Sequence, residues 1–166
     1  MIFPERLTSL AAAVLKEALE RGHRIATAES CTGGLISGCL TEIPGSSKVF
    51  ERGFVVYSNQ SKVENLGIAT TLIDTYGAVS AEVAEAMASG GLAHSAATLC
   101  VSATGIAGPN GATPTKPAGL VFVAIANKKT GKVFSIKNLF QGDRAHVRLE
   151  TVETALFALK EEIDNG

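Results

Sequence analysis

The 166-residue sequence has no tryptophan and only 5% aromatic residues, so it lacks the stacking platforms that hold single-stranded nucleic acids. It has no run of Lys or Arg and a formal net charge of −1, which removes the basic footprint of a nucleic-acid binder. No apolar stretch approaches the ~20 residues that cross a bilayer, so no membrane partner is expected. The N-terminal segment carries Glu5, Arg6, Lys16, Glu17, Glu20 and Arg21 and does not read as a secretory signal. The three cysteines, Cys31, Cys39 and Cys100, are odd in number and wrongly spaced for a disulfide framework or a zinc site. His23, His94 and His146 lie far apart. A reduced, cytoplasmic chain without metal or cofactor is the expectation.

Apolar residues make up 46% of the chain and charged residues 19%, the balance of a globular protein. The length suits one domain, residues 1–166. Pro4 and the apolar spacing of Leu7, Leu10, Ala11, Val14, Leu15 and Ala18 predict a helix over 4–21 that Gly22 ends. A strand is expected over 24–29, an apolar helix over 35–43, a strand over 49–57, and a helix over 60–66 capped by Ser58 or Asn59. Residues 67–77 read as a connection with a short turn of helix at Ile73. Ser80 opens a helix to about His94, 98–104 reads as a strand, and 105–117 as a long Gly/Pro/Thr loop. Segments 119–127 and 132–139 flank Lys128-Lys129-Thr130-Gly131 as a β-hairpin, and Asp143 caps a last helix to about Ile163. Strands alternating with helices, then two strands in succession, predict an α/β fold. It is a three-layer α/β/α sandwich on a mixed, mostly parallel sheet whose antiparallel member comes from the hairpin. In such sheets ligands bind beyond the carboxyl ends of the strands, here the loops after the first three.

Those loops are chemically unusual. The first, Glu29-Ser30-Cys31-Thr32-Gly33-Gly34, puts free N–H groups at a helix start, which suit a phosphate or carboxylate; a tight turn with an N-cap is the plainer reading. No G-x-G-x-x-G is present. The second pairs Pro44-Gly45-Ser46-Ser47 with Tyr57-Ser58-Asn59-Gln60-Ser61-Lys62. Lys62 falls in the first turn of its helix, where the helix dipole and burial both disfavour an ammonium. A lysine so placed can serve as a base, with a nearby serine hydroxyl as its client and Tyr57 to relay or orient the proton; a solvated lysine is the commoner outcome. The third, Thr104-Gly105-Ile106-Ala107-Gly108-Pro109-Asn110-Gly111, brings backbone close to a ligand and offers N–H donors to an oxyanion, or is a plain surface loop. Arg144 is a candidate phosphate or carboxylate clamp, or a solvated arginine beside a capping aspartate. Cys31 at a helix start is a rival nucleophile, although free cysteines are usually packing residues.

Together these motifs carry a resemblance. Ala28-Glu29-Ser30-Cys31-Thr32-Gly33-Gly34, Pro44-Gly45-Ser46-Ser47, Val56-Tyr57-Ser58-Asn59, Gly77-Ala78-Val79-Ser80, Val101-Ser102-Ala103-Thr104-Gly105-Ile106-Ala107-Gly108-Pro109 and Lys116-Pro117-Ala118-Gly119 resemble the C-terminal domain of the competence/damage-inducible protein CinA. That domain also occurs as the free-standing bacterial nicotinamide-nucleotide amidase. Gly142-Asp143-Arg144 with Val147-Arg148 fits the family's end motif, and the likeness runs from about Arg24 to Leu159. It implies hydrolysis of nicotinamide mononucleotide to nicotinate mononucleotide and ammonia without a metal, in pyridine-nucleotide salvage. It further implies Ser47 as nucleophile, Lys62 as base and Tyr57 as assistant. Ser30, Thr104 and Arg144 fall on positions that look like substrate contacts. Thr32, Gly33, Gly34 and Gly105 are candidate binding residues beside them, with the phosphate on either the Thr32-Gly33-Gly34 turn or Arg144. The implied sheet has five strands. The loop Asn110-Gly111-Ala112-Thr113-Pro114 departs from the family, which is richer in glycine there. Without a CinA-type N-terminal domain, and with Met1 at its start, the chain reads as a stand-alone enzyme, and a homo-oligomer such as a dimer is expected. The competing reading is a non-catalytic nucleotide-binding domain of the same fold; retention of both Ser47 and Lys62 favours the enzyme.

Overall fold

Strand β1 (Ile25–Glu29) is buried along its whole length, which requires a neighbour on each edge and a layer on each face. In the computed structural model, which describes residues 1–166, it has both. It pairs in parallel with β2 (Phe50–Val55) and β3 (Leu99–Gly105). Beyond β3 lie β4 (Leu120–Asn127) and β5 (Val133–Leu139), in the order β2-β1-β3-β4-β5. β4 is antiparallel to both β3 and β5, so four strands point one way and β4 runs against them. The mixed five-stranded sheet and the terminal hairpin are as the sequence predicts.

Side-chain size sorts the two faces. Leu99, Val101, Val121, Val123 and Ile125 pack in one core with Leu7, Val14, Leu156 and Leu159, which come from α1 (Glu5–Glu20) and α6 (Arg144–Asn165). The short helix α2 (Leu35–Thr41) adds Ile36, Cys39 and Leu40 to this layer. The opposite face is small: Ala124 and Ala126 meet Ala84 and Ala88 of α5 (Ala81–Ala93), which lets that helix lie close to the sheet. Ser102 also faces α5, its hydroxyl donating to the Ala84 carbonyl at 2.6 Å. Helices α3 (Asn59–Leu66) and α4 (Thr70–Tyr76) pack beside α5. Where the sequence predicts only a turn at Ile73, α4 spans seven residues. It has no side-chain cap and holds its shape by burying Ile73, the tertiary support a short helix needs.

The register aligns the three parallel strands at their carboxyl ends. Glu29 stands opposite Val55 on one side and Ala103 on the other. The next residues, Ser30, Val56-Tyr57 and Thr104, therefore emerge side by side. No helix is long and apolar enough to cross a membrane.

Gly90 of α5 reports the tightness of this layer. A Cβ there would stand 2.4 Å from the Leu66 carbonyl oxygen at the end of α3. Gly→Ala inside a helix ordinarily stabilises by about 1 kcal/mol. Here Gly90→Ala is expected to destabilise by about 1–3 kcal/mol, because backbone must move to admit the methyl. Denaturant unfolding of the two proteins checks the sign.

Candidate active site

The aligned strand ends open into a cavity of about 250 Å³. Ser30 and Cys31 line it after β1, Tyr57, Asn59 and Lys62 after β2, Thr104 and Gly105 at the end of β3, and Ile106, Ala107, Asn110 and Gly111 beyond it. Ala78 and Val79, just before α5, and Arg144, the first residue of α6, complete the wall.

Lys62 is at the centre and only 1% exposed. Its helix is fixed at the start by Ser58, whose hydroxyl accepts the Ser61 N–H at 3.0 Å, as the sequence anticipates for that cap. Nζ donates to Ser30 Oγ at 3.1 Å and to the Tyr57 carbonyl at 3.2 Å. Neither partner carries charge. Burial therefore dominates and holds the Lys62 ammonium below its ordinary pKa. The 3.1 Å spacing serves both protonation states, since the ammonium donates to Oγ and the neutral amine accepts the hydroxyl proton. Ser30 is anchored through its own N–H to the Ala103 carbonyl at 2.9 Å. The following N–H, that of Cys31, donates to no oxygen of the protein. The Cys31 thiol is buried and its pKa pushed up to about 11, so it stays protonated at neutral pH and makes a poor nucleophile.

Ser47 requires a correction. It sits exposed on the 3-10 turn Ser46–Lys48, before β2, whereas Lys62 follows the far end of that strand. Six strand residues at ~3.3 Å each put roughly 20 Å between the two ends. Ser47 is outside the cavity, and the hydroxyl that lies against Lys62 is that of Ser30. Thr32, Gly33 and Gly34 also lie outside the cavity. Thr32 is fully buried and its hydroxyl donates to Glu29 Oε1 at 2.6 Å. The N–H groups of Ile36 and Ser37 at the start of α2 donate to the same carboxylate at 2.9 and 3.0 Å. The helix start expected to hold a substrate anion is thus already filled by an internal one.

The other expected residues do meet at the cavity. Thr104 lines it, but its hydroxyl donates to the Ala78 carbonyl at 2.8 Å and ties the end of β3 to the loop before α5. Gly105 lines it where backbone runs so close that a Cβ would meet the Leu120 carbonyl at 2.7 Å. Tyr57 is 63% exposed at the rim, and its phenol oxygen accepts from Arg144 Nη2 at 3.3 Å rather than from Lys62. Arg144 also donates to the Gly108 carbonyl at 2.9 Å and has no carboxylate partner. Asn59 and Asn110 are lining residues that the sequence reading passed over, as were the supporting contacts of Glu29 and Arg148. A visible signal existed for Glu29: a lone acid closing a strand of small residues, with hydroxyls at Thr32 and Ser37. No three His, Cys, Asp or Glu side chains converge in a way that would hold a metal ion.

The family model of the CinA C-terminal domain matches residues 7–163. A putative competence-damage inducible protein of Caldicellulosiruptor saccharolyticus is 45% identical over 152 residues, 92% of this chain and 36% of that protein. The chain spans about a third of the length of such relatives. Another relative, the nicotinamide-nucleotide amidohydrolase PncC of Enterobacter agglomerans, is 44% identical over 162 residues, 97% of this chain and 98% of its own length. Among solved structures, the competence/damage inducible protein CihA from Agrobacterium tumefaciens superposes with a TM-score of 0.95 at 43% identity, covering 99% of both chains.

A buried lysine with a lowered pKa leaves a mark on stability. The unfolded chain binds the Lys62 proton more readily than the folded one, so this residue destabilises the fold at low pH and ceases to do so as pH rises toward the ordinary lysine value. The parent is therefore expected to gain stability with rising pH relative to Lys62→Met. Paired unfolding curves between neutral and alkaline pH measure this; a gap that stays constant would show that Lys62 titrates normally in the fold.

Proposed function

This chain belongs to the CinA C-terminal domain family, and from that membership and the pocket we propose that it is an amidohydrolase acting on the carboxamide of nicotinamide mononucleotide. The contact between Lys62 Nζ and Ser30 Oγ inside the cavity carries the reading. Neutral Lys62 takes the Ser30 proton as Oγ attacks the carboxamide carbon, giving a tetrahedral adduct. The Cys31 N–H, next to the nucleophile, is free to donate to the oxyanion, and one such donor typically lowers the barrier by ~3 kcal/mol. The Lys62 ammonium returns its proton to the departing nitrogen, releasing ammonia and leaving an acyl ester on Ser30. Water, activated by the same amine, then hydrolyses the ester to the carboxylate and restores the serine. The cationic pyridinium ring withdraws electrons from the carbonyl and makes this amide easier to attack.

Arg144 at the rim is the group we assign to the substrate phosphate, since it has no internal carboxylate and the α2 helix start is taken by Glu29. Tyr57, paired with Arg144, shapes that rim, and proton transfer rests on Lys62 alone. The full-length likeness to an enzyme named nicotinamide-nucleotide amidohydrolase supports the substrate class. A cytoplasmic setting suits three buried free thiols and a nucleotide substrate.

Ammonia release from nicotinamide mononucleotide by the purified protein tests the reading. Ser30→Ala and Lys62→Met are expected to lose at least about 10³-fold in kcat, while Ser47→Ala stays within about twofold of the parent. Saturable binding without ammonia release would instead identify a nucleotide-binding domain. The kcat profile is expected to rise with pH as Lys62 deprotonates, with a midpoint below that of a free lysine. A flat profile would remove the amine from the mechanism. Arg144→Ala is expected to raise KM for the nucleotide about tenfold or more and to leave turnover of the phosphate-free riboside unaffected.

A further inference from the structure

We propose that Glu29 and Arg148 act together as positioning residues: Glu29 gathers hydrogen-bond donors around the Ser30–Gly34 arch, Arg148 gathers its carbonyls, and between them they hold the Ser30 hydroxyl against Lys62. This rests on the reading of Ser30 as nucleophile. Neither side chain lines the cavity, so both act through the arch.

Glu29 is fully buried at the last position of β1. Its Oε1 accepts from the Thr32 hydroxyl at 2.6 Å and the Ile36 N–H at 2.9 Å. Its Oε2 accepts from the Ser37 N–H at 3.0 Å and the Ser37 hydroxyl at 2.8 Å. Helix α2 begins at Gly34 with no side-chain cap of its own. The carboxylate therefore caps it from the preceding strand and closes the five intervening residues into a ring. Four donors on two oxygens leave no acceptor position idle. From the other side, Arg148 of α6 donates Nε to the Cys31 carbonyl and Nη2 to the Thr32 carbonyl, both at 3.2 Å. The side chain of Ser37 is itself pinned by Thr27, and Gly53 of β2 leaves room for the pair, since a Cβ there would stand 2.4 Å from Ser37 Oγ. Every residue of the arch from Ser30 to Thr32 is thus tied to β3, α2 or α6, and the nucleophile's position is inherited from these ties.

A helix cap with no bearing on chemistry would affect stability alone. The two roles separate in Glu29→Gln, which keeps the shape but turns an NH2 toward groups that are themselves donors, and in Arg148→Ala and Arg148→Lys. For the full chain, kcat and KM with nicotinamide mononucleotide are measured beside hydrogen exchange of the arch amides that are bonded in the fold, Ser30, Gly33 and Leu35, on protein that retains the parent's far-UV spectrum. The expected result is arch exchange accelerated about tenfold or more while the sheet stays protected. With it, kcat falls about 10–100-fold, the scale of a nucleophile displaced by an ångström, and KM stays within about threefold. Arg148→Lys, which keeps one donor, falls between Arg148→Ala and the parent. Unchanged arch exchange, or a loosened arch with full kcat per folded molecule, overturns the proposal. Should Glu29→Gln fail to fold, the half-buried Arg148 and its two variants decide the matter alone. Ser30→Ala is run in parallel: turnover that survives it sinks the nucleophile assignment, and the exchange data then show whether the pair holds the arch.

Discussion

A primary amine buried against one hydroxyl and one carbonyl is the constraint around which this molecule is arranged. An isolated ammonium transferred from water to such a place is strongly disfavoured, and the usual escape is loss of the proton. Lys62 has no acid beside it to prevent that escape. Its helix also begins only three residues earlier, so the positive end of the dipole adds to the pressure. The fold therefore carries a group that would be better replaced by an apolar side chain, and what that group gains is a proton held less tightly than that of a solvated lysine. Around it the chain is conventional: two apolar layers, a fully buried central strand, and capped helices at Ser58, Ser80 and Asp143.

Topology decides which serine the amine meets. In a parallel sheet all loops at one end are carboxyl-terminal to their strands, and all loops at the other end precede them. Ser30 follows β1, Lys62 follows β2, and the two strands are neighbours in register, so the side chains meet although 32 positions separate them. Ser47 is nearer in sequence but precedes β2 and is exposed at the opposite end of the sheet.

That contrast marks how far the sequence could be read. The order of elements, the hairpin, the caps and the three loops at the strand ends follow from local chemistry: periodicity, turn residues and cap residues act over a few positions and are visible in the string. Lys62 was also legible, because its place in a first helical turn is a local fact. Its partner was not, because choosing between Ser30 and Ser47 requires knowing which strands lie side by side and which end each serine occupies. Thr32, Gly33 and Gly34 failed for a related reason. Their composition fits an anion site at a helix start, and an anion is there, but it is Glu29 of the same chain. Helix α4 was legible only as a short turn at Ile73, because Ile73 is its one buried residue and nothing in its own sequence caps it.

The internal anion also explains a division of labour between the two helices that start near the cavity. A helix N-terminus attracts negative charge from whatever source is nearest. At α2 the nearest source is Glu29, which takes the Ile36 and Ser37 N–H groups. At α6 the capping Asp143 takes the His146 N–H at 2.8 Å, and the charge offered to the cavity is a side chain, Arg144, which projects to the rim and is steadied by Gly108 and Tyr57. One terminus lies beside the Ser30 end of the cavity and the other borders its mouth. The nucleotide we propose as substrate, with its amide at Ser30 and its phosphate at the mouth, matches that polarity of a neutral, enclosed end and a charged, exposed end.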